Sequence, residues 1–261
     1  MLYSEVLDSM THGDGGSTVS VPEDWWQGRT LFGGIHVALC LRAMRAKVPP
    51  GIPVRVVQAT FVAPATSESV FVRTRLLRTG KNAVHMEART LEGDQVLCVV
   101  TAVFGSRRQS RIEVQPEQRP VHSEKPIDFK FLPGLSPSFT RHFTSRWLVG
   151  SLPFSGNPSR QAVIEIGMDD PAKTSEEHVL AIADSIPPVA LSMLDTPVPG
   201  SSMTWTLEML RDQVDDLSLQ GWRLDAEITA GSHGYTHQSV MVWGPGGVPV
   251  ALSRQCMVVF G

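Results

Sequence analysis

Apolar and polar positions divide this chain into two stretches of similar rhythm, separated by one with no period. Between Gly33 and Val48 the run GGIHVALCLRAMRAKV is apolar nearly all round, which predicts a helix buried on every side. Gly33 and Gly34 open it, and Arg42, Arg45 and Lys47 fall in its last turns, where cations suit the helix dipole. Pro49-Pro50 stop it. Four strands are predicted next, over Val54–Val62, Val70–Arg78, Asn82–Thr90 and Gln95–Phe104. The turns between the later ones, RTGKN and EGD, are short enough to make neighbours antiparallel. Upstream, Ser17–Val21 alternates as an edge strand, and Trp25-Trp26 form a lid or a core plug. Residues 106–137, rich in Arg, Gln, Pro, Ser and Glu, are expected to be a linker.

The pattern then returns. Phe143–Val149 and Ala162–Ile166 are predicted strands. TSEE (Thr174 to Glu177) fits a capping box ahead of the apolar segment HVLAIADSIPPVALSML, His178 to Leu194. Strands over Met203–Leu210, Trp222–Thr229, Tyr235–Trp243 and Val250–Phe260 follow. Three landmarks recur in order: Gly80 with Gly231, the AVFG ending at Gly105 with the VVFG ending at Gly261, and Gly34 with Asp184. The offsets are 151, 156 and 150, which predicts an internal duplication of one helix-and-sheet unit. The expected domains are 1–106, a linker over 107–137, and 138–261.

Composition narrows the function classes. With 261 residues, 42% hydrophobic and 19% charged, the chain has ample material for a core. A net charge of −3 gives no reason to expect nucleic acid or an anionic membrane as partner. The basic cluster Arg107, Arg108 and Arg111 lies in the linker, where a solvated loop is the plainer reading. Three widely spaced cysteines in apolar surroundings, Cys40, Cys98 and Cys256, predict reduced thiols in a reducing compartment. The N-terminus lacks the basic start and apolar core of a secretory signal, and no apolar run reaches the roughly 20 residues of a membrane span. A cytoplasmic protein is expected, with no cofactor and no metal site.

The candidate chemistry centres on Asp184. It is the one carboxylate in the His178–Leu194 segment, and Pro187-Pro188 release the carbonyls of Ala183 and Asp184 from helical bonding. A charge held in apolar surroundings is costly, and a group kept there at such a cost is a candidate for catalysis. The competing reading is a helix cap.

The motifs GRTLFGGIHVA (28–38), FVAP (61–64), RTGKN (78–82), IADSIPP (182–188), GSSMTWTLEMLR (200–211) and ALSRQCMVVFG (251–261) resemble those of the TesB-like (type II) acyl-CoA thioesterases. The resemblance spans both halves but not the linker. It implies an α+β double hot-dog fold, two tandem antiparallel sheets each wrapped around a buried helix. It also implies hydrolysis of an acyl-CoA to fatty acid and CoA, in fatty acid metabolism, by a homodimer or homotetramer. The family's water-holding trio falls on Asp184, Ser202 and Gln255, with Thr204 competing for the hydroxyl position because it lies two residues on. Gly33, Gly34, Phe32 and Trp26 are expected against the substrate, and backbone N–H groups as oxyanion donors. The SIPP after Asp184 departs from the aromatic or apolar residues common in the best-studied members.

In the duplication Gln255 matches Val99 and Asp184 matches Gly34, so one working site per chain is expected. His36 and His85 read as satisfied or exposed histidines, and His233 with His237 lacks a third metal ligand. Cys256 points away from Gln255 by strand alternation. The alternative function is a catalytically silent acyl-CoA or lipid-binding protein. A hot-dog hydratase or dehydratase ranks lower, since no fitting His motif is present.

Overall fold

The computed structural model describes residues 1–260; the landmark Gly261 lies outside them. In the first half, α1 (Tyr3–Asp8) leads to β1 (Thr11–Gly13), β2 (Gly16–Ser20), β3 (Trp26–Gln27) and β4 (Thr30–Leu31). Then come α2 (Gly33–Arg45), β5 (Val54–Phe61), β6 (Ser69–Thr79), β7 (Ala83–Glu92) and β8 (Gln95–Gly105). The second half has β9 (Ile127–Phe129), β10 (Phe143–Val149), β11 (Gln161–Met168) and α3 (Glu176–Asp184). β12 (Gly200–Met209), β13 (Trp222–Ser232), β14 (Tyr235–Gly244) and β15 (Val248–Val259) complete it.

α2 is apolar because sheet and helix surround it: Ile35, Val37, Ala38, Leu39, Cys40 and Leu41 are completely buried. Instead of two separate large sheets, all strands but the β3–β4 pair form one antiparallel sheet of 13, ordered β1-β2-β6-β7-β8-β5-β12-β15-β14-β13-β11-β10-β9. The two halves join where β5 pairs with β12, Val57 opposite Leu207. Each strand would otherwise leave a free edge, and mutual pairing removes both. The Gly16–Ser20 strand is correspondingly not an edge, since β1 covers it.

α2 and α3 pack antiparallel. Arg45 at the end of α2 donates to the Glu176 carboxylate at the start of α3 (Nε–Oε2, 2.7 Å), while Gly34 at the start of α2 meets Ala181 near the end of α3. This corrects the landmark alignment. Gly34 begins one helix and Asp184 ends the other, so the two touch across the repeat and do not correspond. The strands keep an even offset: β7 and β14 differ by 152 at both ends, β6 and β13 by 153, and β8 and β15 start 153 apart. Gln255 therefore answers to Ala102, not Val99, and the residue that ends α2 as Asp184 ends α3 is Arg45. Unequal helices and loops shift the offset along the chain, which single glycine landmarks cannot reveal. The first half still carries no carboxylate–amide pair at these positions.

Three further expectations change. The N-cap of α3 is Ser175, whose hydroxyl accepts from His178 N; Thr174 instead donates to Leu217 O at 2.6 Å. The helix ends at Asp184, and a 3-10 turn over Val189–Met193 replaces its continuation, as the two prolines dictate. The linker carries β9 in its later part, paired with β10, and just beyond it Ser138–His142 forms a 3-10 turn. Its Arg107 shares Asp212 with Arg55, tying the end of the first half to the loop after β12. Among the described residues no helix is long and apolar enough to cross a membrane.

Candidate active site

Three elements meet at Asp184. α3 delivers it as its last residue, where Ser185 turns back to donate its hydroxyl to Ile182 O at 2.7 Å. The start of α2 faces it and the Gly34 N–H donates to its carboxylate. β15 supplies Gln255, whose Nε2 donates to Asp184 Oδ1 at 2.5 Å. The glycine pair is a matter of room. A Cβ on Gly33 would stand 2.7 Å from Asp184 Oδ2, and one on Gly34 would stand 2.7 Å from the Phe32 ring and 3.3 Å from the Ala181 backbone.

Burial pushes the Asp184 carboxyl up to about 7, against the opposing pull of the Gln255 and Gly34 hydrogen bonds. The carboxyl lies at the negative end of its own helix dipole and the positive end of that of α2, so the two helices act on it in opposite senses. Near neutral pH it is part carboxylate and part acid.

Asp184 and Gln255 line a cavity of about 340 Å³. Ser202 lines it as well, and Thr204 does not. A bulge in β12 between them decides this: Ser202 pairs with inward-facing Met257, whereas Thr204 pairs with Cys256 and is exposed. Although Thr204 lies only two residues on from Ser202, that bulge keeps the two from sharing a facing. The remaining wall is apolar and aromatic, including Phe143 and Trp147 from β10, Ile164 and Ile166 from β11, and Ile186 beyond the helix.

Of the residues expected against substrate, Gly33 and Gly34 pack against Asp184. Trp26 and Phe32 do not line the cavity. Trp26 is half-buried and donates to Val21 O at 3.3 Å, and completely buried Phe32 stacks at 4.0 Å on Phe139, which does line it. Trp25 is a core plug, stacked at 4.0 Å on His142. His36 is buried against the Thr90 hydroxyl at 3.1 Å, and burial lowers it to about 4, which keeps it neutral.

Two family models match the chain: the acyl-CoA thioesterase N-terminal domain over residues 21–105 and the acyl-CoA thioesterase C-terminal domain over residues 115–259. The chain belongs to the acyl-CoA thioesterase family. It is thus a thioester hydrolase of the TesB-like type, with the double hot-dog fold.

Solved structures agree on the fold. A hot-dog protein of unknown function from Alicyclobacillus acidocaldarius superposes with a TM-score of 0.86 at 21% identity, covering 98% of this chain and 97% of its own. The TesB protein of Mycobacterium avium subsp. paratuberculosis gives 0.78 at 14% identity, with all of both chains covered. Acyl-CoA thioesterase II TesB2 from Mycobacterium marinum gives 0.74 at 16% identity, covering 98% and 97%. No curated protein matches the sequence.

Several wall residues of this thioesterase escape a reading by period. Residues 129–140 pass along the cavity, contributing Phe129, Leu132, Leu135 and Phe139, although their stretch looks like linker. The aromatic spacing of Phe129, Phe131, Phe139 and Phe143 is the one signal there. Phe154 lines the cavity with φ +60°, a left-handed backbone that bulky residues rarely adopt.

Proposed function

We propose that this thioesterase hydrolyses an acyl-CoA at Asp184, Ser202 and Gln255 in the wall of the cavity. The Asp184 carboxylate removes a proton from water, the water oxygen bonds to the thioester carbon, and the carbon–sulfur bond breaks. The proton held by Asp184 then passes to the departing CoA thiolate, leaving a free fatty acid and CoA. Gln255 fixes Asp184 with one amide hydrogen and offers the second to the water or to the developing oxyanion. The Ser202 hydroxyl orients the water from the opposite strand.

One observation carries this reading: a carboxyl raised to about 7 is bonded at 2.5 Å to an amide in the cavity that Ser202 also lines. A base poised near the working pH is what general-base catalysis needs. The Gly33–Gly34 start of α2 belongs to the same reading, since any larger residue at 33 displaces the carboxyl. Assembly into homodimers or homotetramers is part of the proposal as well.

Free-thiol release from decanoyl-CoA tests it. Ser202→Ala is expected to lower kcat/KM about tenfold, the worth of one orienting hydrogen bond to a charged or charge-developing group, while Thr204→Ala leaves it unchanged. The reverse pattern would move the hydroxyl to Thr204. Tight binding with no thiol release would instead select a silent acyl-CoA-binding protein.

A further inference from the structure

Matching the two halves strand by strand singles out one buried glutamine. In β14 Gln238 stands directly opposite Gln255 of β15, so the two side chains leave the same inward face of the sheet. Offsets of 152 for β7 and β14 and 153 for β8 and β15 bring this pair to Met86 and Ala102, which also pair with each other. Both are buried apolar residues. One copy of the unit thus fills these two core positions with apolar side chains, and the copy that holds Asp184 fills them with amides. Gln238 is only 1% exposed, and its Nε2 is buried without a hydrogen-bond partner. A half-satisfied amide costs more in a core than a side chain like that of Met86, so packing gives no reason for it.

The amide oxygen supplies the reason. Gln238 Oε1 accepts from the Val189 N–H at 2.7 Å. Pro187 and Pro188 have no N–H, so Val189 carries the first backbone donor after Ile186. It also opens the 3-10 turn, where a leading N–H has no acceptor within the turn. Gln238 does not line the cavity, so it reaches the chemistry only through the chain it holds. Neighbouring glutamines thus grip both ends of Asp184–Val189, Gln255 the carboxyl and Gln238 the backbone. Resting on the reading that Asp184 is the general base, we propose that Gln238 is a positioning residue for hydrolysis: by anchoring the chain that leaves Asp184 to β14, it keeps the carboxyl set against Gln255. Without the anchor the segment is free to lift from the sheet, and the carboxyl at its start shifts against the amide. A displacement of about 1 Å at a reacting group can cost about 10²-fold in rate.

A double-mutant cycle on the full chain tests this, with thiol release from decanoyl-CoA measured at pH 8. Gln238→Met, which copies the first half, is expected to lower kcat about thirtyfold and leave KM within about twofold. In an Asp184→Asn background the same substitution should cost less than about threefold, because the group it positions is gone. Gln238→Glu keeps an oxygen acceptor for the Val189 N–H and should stay within about threefold of the wild type. An unchanged kcat in Gln238→Met overturns the proposal. So does an equal loss in both backgrounds, which is what a general loosening of the core would give. Should thermal unfolding show that Gln238→Met does not fold, Gln238→Glu decides: retained activity supports the anchor, and a loss of about thirtyfold overturns it. An Asp184→Asn protein as active as the wild type would strike the hydrolytic reading itself. A harmless Gln238→Met beside an impaired Asp184→Asn strikes the positioning role alone.

Discussion

Asp184→Asn should lower kcat/KM for acyl-CoA hydrolysis about 10³-fold, the middle of the range for removing a positioned general base. The substitution is nearly isosteric and the site can accommodate it. The new amide can accept from the Gly34 N–H through its oxygen, while Gln255 turns its own amide to accept from the new NH₂. Geometry and cavity shape are thus retained and only the basic group is lost. KM should change little, because the carboxyl contributes to the reaction more than to holding the chain. A stopped assay of thiol release, run on both proteins at pH 8, reads the ratio. A loss below about tenfold would assign the proton transfer elsewhere.

The same substitution should make the protein more stable. The Asp184 carboxyl titrates at about 7 in the folded chain and near 4 in an unfolded one. Below about 4 it is neutral in both states and costs nothing. Between about 4 and 7 the unfolded chain releases the proton that the folded chain retains, so stability falls as pH rises through that window. The whole interval amounts to about 4 kcal/mol; part of the group faces the cavity, which reduces this to about 3. Asp184→Asn removes the dependence. Its advantage over the wild type in denaturant unfolding should be about 3 kcal/mol at pH 8, about 1 at pH 5, and near zero below pH 4. An advantage independent of pH would contradict the raised carboxyl. Activity is thus held at a cost in stability, as at many catalytic sites.

The framework was legible where periods are long and clean. α2 and strands β5 to β8 lie within a few residues of their expected bounds, because alternation and an all-apolar run are local signals, but β5 pairs with β8 and not with its sequence neighbour β6. Asp184 stood out for the same reason, as a single carboxylate in an apolar segment. What the sequence hides is mostly relational. The β12 bulge that separates Ser202 from Thr204 depends on pairing with β15. The contact of Gly34 with Asp184 arises because α2 and α3 run antiparallel, which an alignment of repeats mistakes for correspondence. The cavity wall over residues 129–140 has no period of its own and takes its shape from β10 and the aromatic groups beneath it.

The pH dependence of wild-type kcat/KM addresses the central claim most directly. With Asp184 as the base, the rate should rise with pH, reach half its plateau near pH 7 and flatten above, and the small residual rate of Asp184→Asn should lack that step. A wild-type profile flat from pH 5 to 9, or one whose step persists in Asp184→Asn, would mean that another group activates the water.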